Sequence, residues 1–346
     1  MGSVVGVDAH KDSHTLVVVD SNGRKMSEKT VPATDAGHEK ALLWMRRTCG
    51  GGDLLVGIED VRHVSSRLER FLIDSGVTCV RVPTKLMARV RSSARTEGKS
   101  DSIDALAVAQ AVLRVPDLPR ATHDEASREC QLLVSRREDL VKIRTGLTSR
   151  VQWRVHELDP EFPLGRLAWV PGRTALQQWL LQQSNLLARI CVEEVDQIAD
   201  LSELIHALEA EITAKARLVA PALLAIPGCG PLTAALITGQ AAAVSRFATE
   251  DAFASYAGLA PVPHWSGSTA GNLRRGKQGN RSLNAAIHRI AITQIRDDTP
   301  GRAYFKKRVD EGDSPAKARR ALKRRLCRVV FRGLTDDFRM RSTAAV

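Results

Sequence analysis

Ser3–Asp8 and His14–Asp20 are apolar runs rich in β-branched residues, and each reads as a strand. Ser21-Asn22-Gly23-Arg24 follows, a tight-turn signal, and Lys25–Val31 reads as a third strand. Asp35–Thr48 carries a helical pattern that Gly50-Gly51-Gly52 stops. Asp53–Glu59 is a fourth, apolar strand. Arg62–Ser75 is amphipathic, with Leu68, Phe71 and Leu72 on one face, and Val77–Val82 is a fifth strand. Asp101–Arg114 is a helix that ends before Val115-Pro116-Asp117-Leu118-Pro119. The order β-β-β-α-β-α-β-α predicts an α/β domain, a mixed sheet with helices on its faces.

Beyond the Pro-rich link the period changes. From about Asp124 to Leu158 there is no strand signal, and Leu140, Ile143, Leu147, Val151, Val155 and Leu158 recur at spacings of three and four. Pro160, Pro163 and Pro171 interrupt. A second helical stretch runs from about Thr174 to Leu218, and within it Ile198, Leu201, Ile205, Leu208 and Ile212 follow heptad spacing. Two long helices with an interruption predict an antiparallel arm, its seam serving either packing within the chain or self-association of copies. Next, Ile226-Pro227-Gly228-Cys229-Gly230-Pro231-Leu232-Thr233-Ala234 lies between two helical patterns. It reads as a helix-hairpin-helix-like element that offers backbone N–H groups to a phosphate, or as a plain glycine turn. A loop rich in Pro, Gly and Ser spans Gly258–Ser268, and Arg274, Arg275, Lys277 and Arg281 follow it. A helix from about Ser282 to Arg296 and a very basic C-terminal helix complete an α/β plus α organisation.

Charge adds a partner to this picture. Lys plus Arg is 51 and Asp plus Glu is 39, a net +12 over 346 residues. The surplus is concentrated: Arg302–Arg341 holds 14 basic residues against 5 acidic, and Arg81–Lys99 holds 6 against one. Such runs suit a polyanion, nucleic acid above all, or else a solvated helix face. No apolar run approaches the roughly 18 residues of a membrane helix. The segment Met1–Asp8 has no basic region followed by a long apolar one, so a cytoplasmic protein without a signal peptide is expected. Cys49, Cys79, Cys130, Cys191, Cys229 and Cys327 are scattered, which predicts buried free thiols rather than a zinc site or a disulfide framework.

Four carboxylates stand out by position. Asp8 and Glu59 end strands one and four, and Asp101 and Asp104 share a helical face three residues apart. Acids at strand ends converge at one sheet edge, where mutual repulsion calls for a cation. Hard oxygen donors select Mg²⁺ or Mn²⁺. Asp101 and Asp104 also suit a helix N-terminus with no metal at all.

Strand order, Gly6-Val7-Asp8, Val56-Gly57-Ile58-Glu59 and Lys99-Ser100-Asp101-Ser102-Ile103-Asp104-Ala105 together resemble the ribonuclease H-like, RuvC-related domain of the DEDD transposases of bacterial insertion sequences, the bridge-RNA-guided recombinases. Ile226–Ala234 and Gly258–Gly267 resemble that family's C-terminal transposase domain. The resemblance implies three parts: a RuvC-like metal-binding catalytic domain over residues 1–120, a helical or coiled-coil arm over 121–217, and a transposase domain over 218–346. It implies that Asp8, Glu59, Asp101 and Asp104 hold Mg²⁺ or Mn²⁺. It implies that Ser266, before Gly267 in Pro261-Val262-Pro263-His264-Trp265-Ser266-Gly267, is the nucleophile. Trp265 stands where a small polar residue is commoner, and Ser268 where glycine is commoner, so Ser268 is a rival.

The activity so implied is DNA cleavage and strand exchange through a phosphoserine. The metal cluster of the first domain would meet Ser266 of the third, from the same or another subunit. The implied partners are DNA, an element-encoded guide RNA and further copies of the chain in a dimer or tetramer, with association with the nucleoid during activity. Arg274, Arg275, Lys277 and Arg281 are the candidate phosphate contacts. Two rival readings stand beside this one: a metal-dependent nuclease or junction resolvase that uses water, and a non-catalytic nucleic-acid-binding protein.

Overall fold

The structure is a computed structural model that describes residues 3–59, 62–83, 86, 101–115, 118, 120–263, 273–275 and 279–344. The chain forms two compact units, residues 1–123 with 245–247 and residues 124–244 with 248–346.

The first unit is built on a five-stranded sheet. Its strands are β1 (Val4–Ala9), β2 (Ser13–Val19), β3 (Lys25–Pro32), β4 (Leu55–Glu59) and β5 (Thr78–Val82), in the order β3-β2-β1-β4-β5. β1 to β3 form an antiparallel meander, while β4 lies parallel to β1 and β5 parallel to β4. Helices α1 (Asp35–Thr48) and α2 (Arg62–Asp74) join β3, β4 and β5. The Thr34 hydroxyl caps α1 by accepting from Gly37 N at 3.2 Å.

Strand alternation sorts the side chains to two cores. Val5, Val7, Leu16, Val18, Val56 and Ile58 pack with Ala41, Met45, Leu68 and Leu72 of α1 and α2. Val4, Val17, Val19, Val80 and Val82 face the opposite side and pack with Ala105, Val108, Ala109 and Val112 of α3 (Asp101–Arg114). Gly6 and Gly57 are register partners on that second side. A Cβ on Gly6 would stand 2.1 Å from the Ala105 carbonyl oxygen and 2.4 Å from Ala109 N, and one on Gly57 would stand 2.4 Å from Val112 Cγ2. The two glycines therefore let α3 lie directly on β1 and β4.

The second unit is helical. Its first elements are α4 (Glu125–Leu158), α5 (Val170–Leu180) and α6 (Leu186–Val219). The helical stretch expected from Thr174 to Leu218 is thus two helices, with Asn185 capping the second by accepting from Ala188 N at 2.8 Å. Arg137 pairs with Glu209, Arg144 donates to Ser202 and Arg154 pairs with Glu194. Partner numbers on α6 fall as those on α4 rise, so the two helices are antiparallel. Ile198, Ile205 and Ile212 of the heptad seam are buried within the chain at 0–1% exposure. α4 packs along this seam, while Leu201 and Leu208 of the same heptads stay half-buried.

The remaining elements are α7 (Pro221–Leu224), α8 (Pro231–Ala241), α9 (Glu250–Tyr256), β6 (Pro261–Pro263), β7 (Leu273–Arg275), α10 (Arg281–Arg296), α11 (Pro300–Asp310) and α12 (Pro315–Ala344). The expected basic C-terminal helix is therefore a pair, α11 and α12, parted at Gly312 with φ 94°. The buried Asp337 carboxylate of α12 caps α7, accepting from Ala222 N at 2.7 Å and Leu223 N at 3.2 Å. Between α7 and α8 the chain turns through Gly228 at φ 82°, and Cys229 N donates to the Ile226 carbonyl at 2.9 Å.

All six cysteines are free, and all but Cys49 are buried. Burial pushes the thiols of Cys79, Cys229 and Cys327 up to about 12 and that of Cys130 up to about 11. Among the described residues no helix is long and apolar enough to cross a membrane.

Candidate active site

Asp8 lies on β1 two residues beyond Gly6 and so shares its face, the face that α3 covers. Glu59 has the same relation to Gly57 on β4, one residue past the Val7–Ile58 pair that ends the recorded β1–β4 register. Helix α3 starts at Asp101, and its first turn holds Asp101 and Asp104. Close approach of α3 at Ala105 brings that turn to the end of β1. Asp8 is 5% exposed and Asp104 8%, whereas the Asp101 side chain is 58% exposed, so the group runs from buried to open.

The structure adds a residue that the sequence reading left out. His10 Nε2 lies 3.0 Å from Asp8 Oδ2 and 3.4 Å from Asp101 Oδ1. Among the described residues, Asp8, His10 and Asp101 form a group in which one donor atom from each lies within 4.8 Å of the others. The available signal was the alternation Asp8-Ala9-His10, which puts both side chains on one side of an extended segment.

Burial raises the Asp8 pKa, His10 opposes that rise by its charge and hydrogen bond, and the charges of Asp104 and Asp101 push it further up. A buried carboxylate strained by two like charges is eased by a cation. Carboxylates from β1 and α3 with one imidazole suit a divalent first-row ion or Mg²⁺. Glu59 stands partly buried at the end of the strand beside Asp8.

The other candidates are placed unevenly. Ser266, Ser268 and Lys277 lie outside the described residues. Arg274 and Arg275 lie in β7, opposite Val262 and Pro261 of β6, so the loop expected over Gly258–Ser268 includes a short strand. Arg281 is exposed at the first turn of α10. The ends of the excursion between α9 and α10 are tied together. Asn280 N donates to the Tyr256 carbonyl at 2.7 Å, and Asn284 Nδ2 donates to the carbonyls of Ala257 at 2.9 Å and Gly258 at 3.2 Å.

The two basic runs are placed only in part. Most of the run Arg81–Lys99 lies outside the described residues. Arg81 itself makes a largely buried pair with Glu69 at 2.6 Å, which leaves its side chain 11% exposed. In the second run Arg308 and Lys317 pair with Asp313, Arg332 with Glu250 and Arg341 with Asp124, while Arg320 and Arg339 are exposed.

A five-stranded mixed sheet of order 3-2-1-4-5, with acids at strand ends and at the head of the covering helix, is consistent with a ribonuclease H-like domain. A family profile described as Transposase matches residues 5–158, and one described as Transposase IS116/IS110/IS902 family matches residues 220–306. The chain belongs to this family, the IS110-type DEDD transposases of insertion sequences. It is 26% identical to the insertion element IS900 uncharacterized 42 kDa protein of Mycobacterium paratuberculosis, over 96% of this chain and 95% of the relative. It is also 26% identical to the insertion element IS116 uncharacterized 44.8 kDa protein of Streptomyces clavuligerus, over 96% and 94%. The transposase for insertion sequence element IS1111A of Coxiella burnetii is 24% identical, over 89% of this chain and 83% of the relative.

Proposed function

We propose that this transposase cuts and rejoins DNA through a phosphoserine on Ser266, with Mg²⁺ or Mn²⁺ held by Asp8, Glu59, Asp101 and Asp104, at sites chosen by an element-encoded guide RNA. The observation that carries the reading is the meeting of Asp8 and Asp101, from β1 and α3, with the charge of Asp104 acting on Asp8. When bound, a divalent ion offsets negative charge on the scissile phosphate. Asp8 holds its oxygen rigidly from a buried strand, and the exposed Asp101 faces solvent, where a phosphate can enter.

In the covalent step Ser266 Oγ bonds to phosphorus and the phosphorus–oxygen bond to one strand breaks. The serine proton ends on the departing hydroxyl. The hydroxyl of a second strand then reverses the exchange, so the number of phosphodiester-type bonds is conserved and no nucleotide cofactor is needed. Residues 1–120 serve as the catalytic domain, 121–217 as the arm and 218–346 as the nucleophile-bearing domain. Arg274, Arg275, Lys277 and Arg281 contact phosphates. The protein acts as a homo-oligomer on nucleoid DNA.

The test is a trapped reaction on the element's DNA with its RNA and Mg²⁺, digested and searched by mass spectrometry for a DNA-linked peptide. An adduct on Ser266 that disappears in Ser266→Ala supports the reading, and an adduct on Ser268 moves the nucleophile two residues along. Full activity in the double alanine variant overturns the serine and favours a metal-dependent nuclease that uses water, full activity in EDTA overturns the metal, and binding with no metal-dependent cleavage favours a protein that only binds. Finding no discrete RNA with the purified protein, together with sequence-specific DNA binding by RNA-free protein, removes the guide.

A further inference from the structure

Resting on the reading that the acids hold a divalent ion, we propose that His10 joins them as a direct ligand through Nε2 and shifts the centre's preference from Mg²⁺ toward Mn²⁺. The backbone places it for this. His10 N donates to the Ser13 carbonyl at 2.9 Å and closes the turn between β1 and β2, so the residue is fixed at the edge where β1 delivers Asp8. Its side chain is 52% exposed, so core packing does not set its position.

The imidazole nitrogen sits between two carboxylates from separate elements, at 3.0 Å and 3.4 Å. Two donors that share an edge of an octahedron, each about 2.1 Å from the ion, are themselves about 3.0 Å apart. The His10–Asp8 separation equals that spacing and the His10–Asp101 separation exceeds it by 0.4 Å, so small side-chain adjustments would bring the three donors around one ion. Nε2 lies at hydrogen-bond distance from Asp8 Oδ2, and ligation would place the ring proton on Nδ1 so that the Nε2 lone pair points at the ion. Asp8 is buried, while His10 and Asp101 are open to solvent, so waters or a phosphate can complete the shell.

The chemical consequence follows from donor softness. An all-carboxylate set suits Mg²⁺, whereas an imidazole adds little for that hard ion and more for a later divalent ion. A histidine that only hydrogen-bonds to Asp8 would support both ions alike.

Full-length protein is titrated with Mn²⁺ alone and with Mg²⁺ alone by calorimetry, and the Mn²⁺-loaded protein is examined by pulsed EPR for coupling to a ligated nitrogen. The variants are His10→Ala and His10→Gln, the second keeping a hydrogen-bonding side chain, and Asp8→Asn is the control for the metal itself. The expected result is nitrogen coupling in the wild type and its loss in both His10 variants. Mn²⁺ affinity falls by about tenfold or more and Mg²⁺ affinity by less than about threefold. Mn²⁺ bound without nitrogen coupling, or equal weakening of the two ions, overturns the role of His10 and leaves the metal reading standing. A wild type that binds Mn²⁺ no better than Asp8→Asn overturns both.

Discussion

Replacing Gly6 by alanine tests the contact on which the acidic centre depends. The added Cβ would stand 2.1 Å from the Ala105 carbonyl oxygen and 2.4 Å from Ala109 N. A carbon needs about 3.3 Å from such an oxygen, so α3 must retreat by roughly 1 Å. Both obstacles are backbone atoms, so no rotamer change relieves them. Overpacking of this kind costs about 1–3 kcal/mol of stability. The retreat also carries Asp101 and Asp104 away from Asp8, and a misplacement of about 1 Å costs on the order of a hundredfold in rate. Urea denaturation followed by circular dichroism reads the first effect, and mobilisation of a marked element in cells reads the second. Gly57→Ala makes a contrast, because its obstacle is the Val112 side chain at 2.4 Å and Val112→Ala should largely rescue it. Gly52→Ala is the control, since nothing lies within 4 Å of a Cβ there. Wild-type stability and wild-type mobilisation in Gly6→Ala would refute the close approach of α3.

Asp8→Asn or Asp104→Asn should lower strand exchange by several orders of magnitude and leave nucleic-acid affinity within about tenfold, read by filter binding. Because burial and like charges raise the Asp8 pKa, Asp8→Asn should melt no lower than wild type at neutral pH, which calorimetry checks. His14 and His38 form a buried pair with Nε2 atoms 3.3 Å apart, and burial, aided by the charges of His38 and His10, lowers the His14 pKa to about 4. The fold therefore rejects the proton: this stability is complete above pH ~6.5 and is lost as the pH falls toward 4, roughly 3 kcal/mol in all. Urea midpoints between pH 7.5 and 4.5 should follow that slope and His14→Leu should flatten it; parallel curves would count against it. Asp337→Ala strips the cap from Ala222 N and Leu223 N and should cost about 1–3 kcal/mol, with Asp337→Asn losing less in the same denaturation assay.

The regular elements of the first unit were legible because one period ran through each. Asp35–Thr48 and Asp101–Arg114 are read and observed with the same ends, since a cap or an acidic first turn marks the start and glycine or proline follows the end. β6 and β7 were not legible: each has three residues, and Pro261 and Pro263 leave no alternation to read. The break between α5 and α6 falls at Gln182-Gln183-Ser184-Asn185, where no glycine or proline announces it. The heptad seam was legible as an apolar face, but not its partner, because α4 carries a matching stripe of its own at Leu140, Leu147, Val151 and Val155. At the centre, Asp8 and the Asp101–Asp104 pair were marked by strand end and helical spacing. His10 was not, because its link to Asp101 spans 91 positions and exists only where the glycine on β1 admits the helix.

The buried cysteines have a use at the bench. With the thiols at 79, 130, 191, 229 and 327 held protonated by burial, and that of the partly exposed Cys49 also raised, the chain should react sluggishly with alkylating reagents. A cysteine introduced by Ser266→Cys would stand out against that quiet background. Its labelling rate, with and without DNA, would report substrate occupancy of the loop from the native chain, with no need to remove any of the six natural cysteines first.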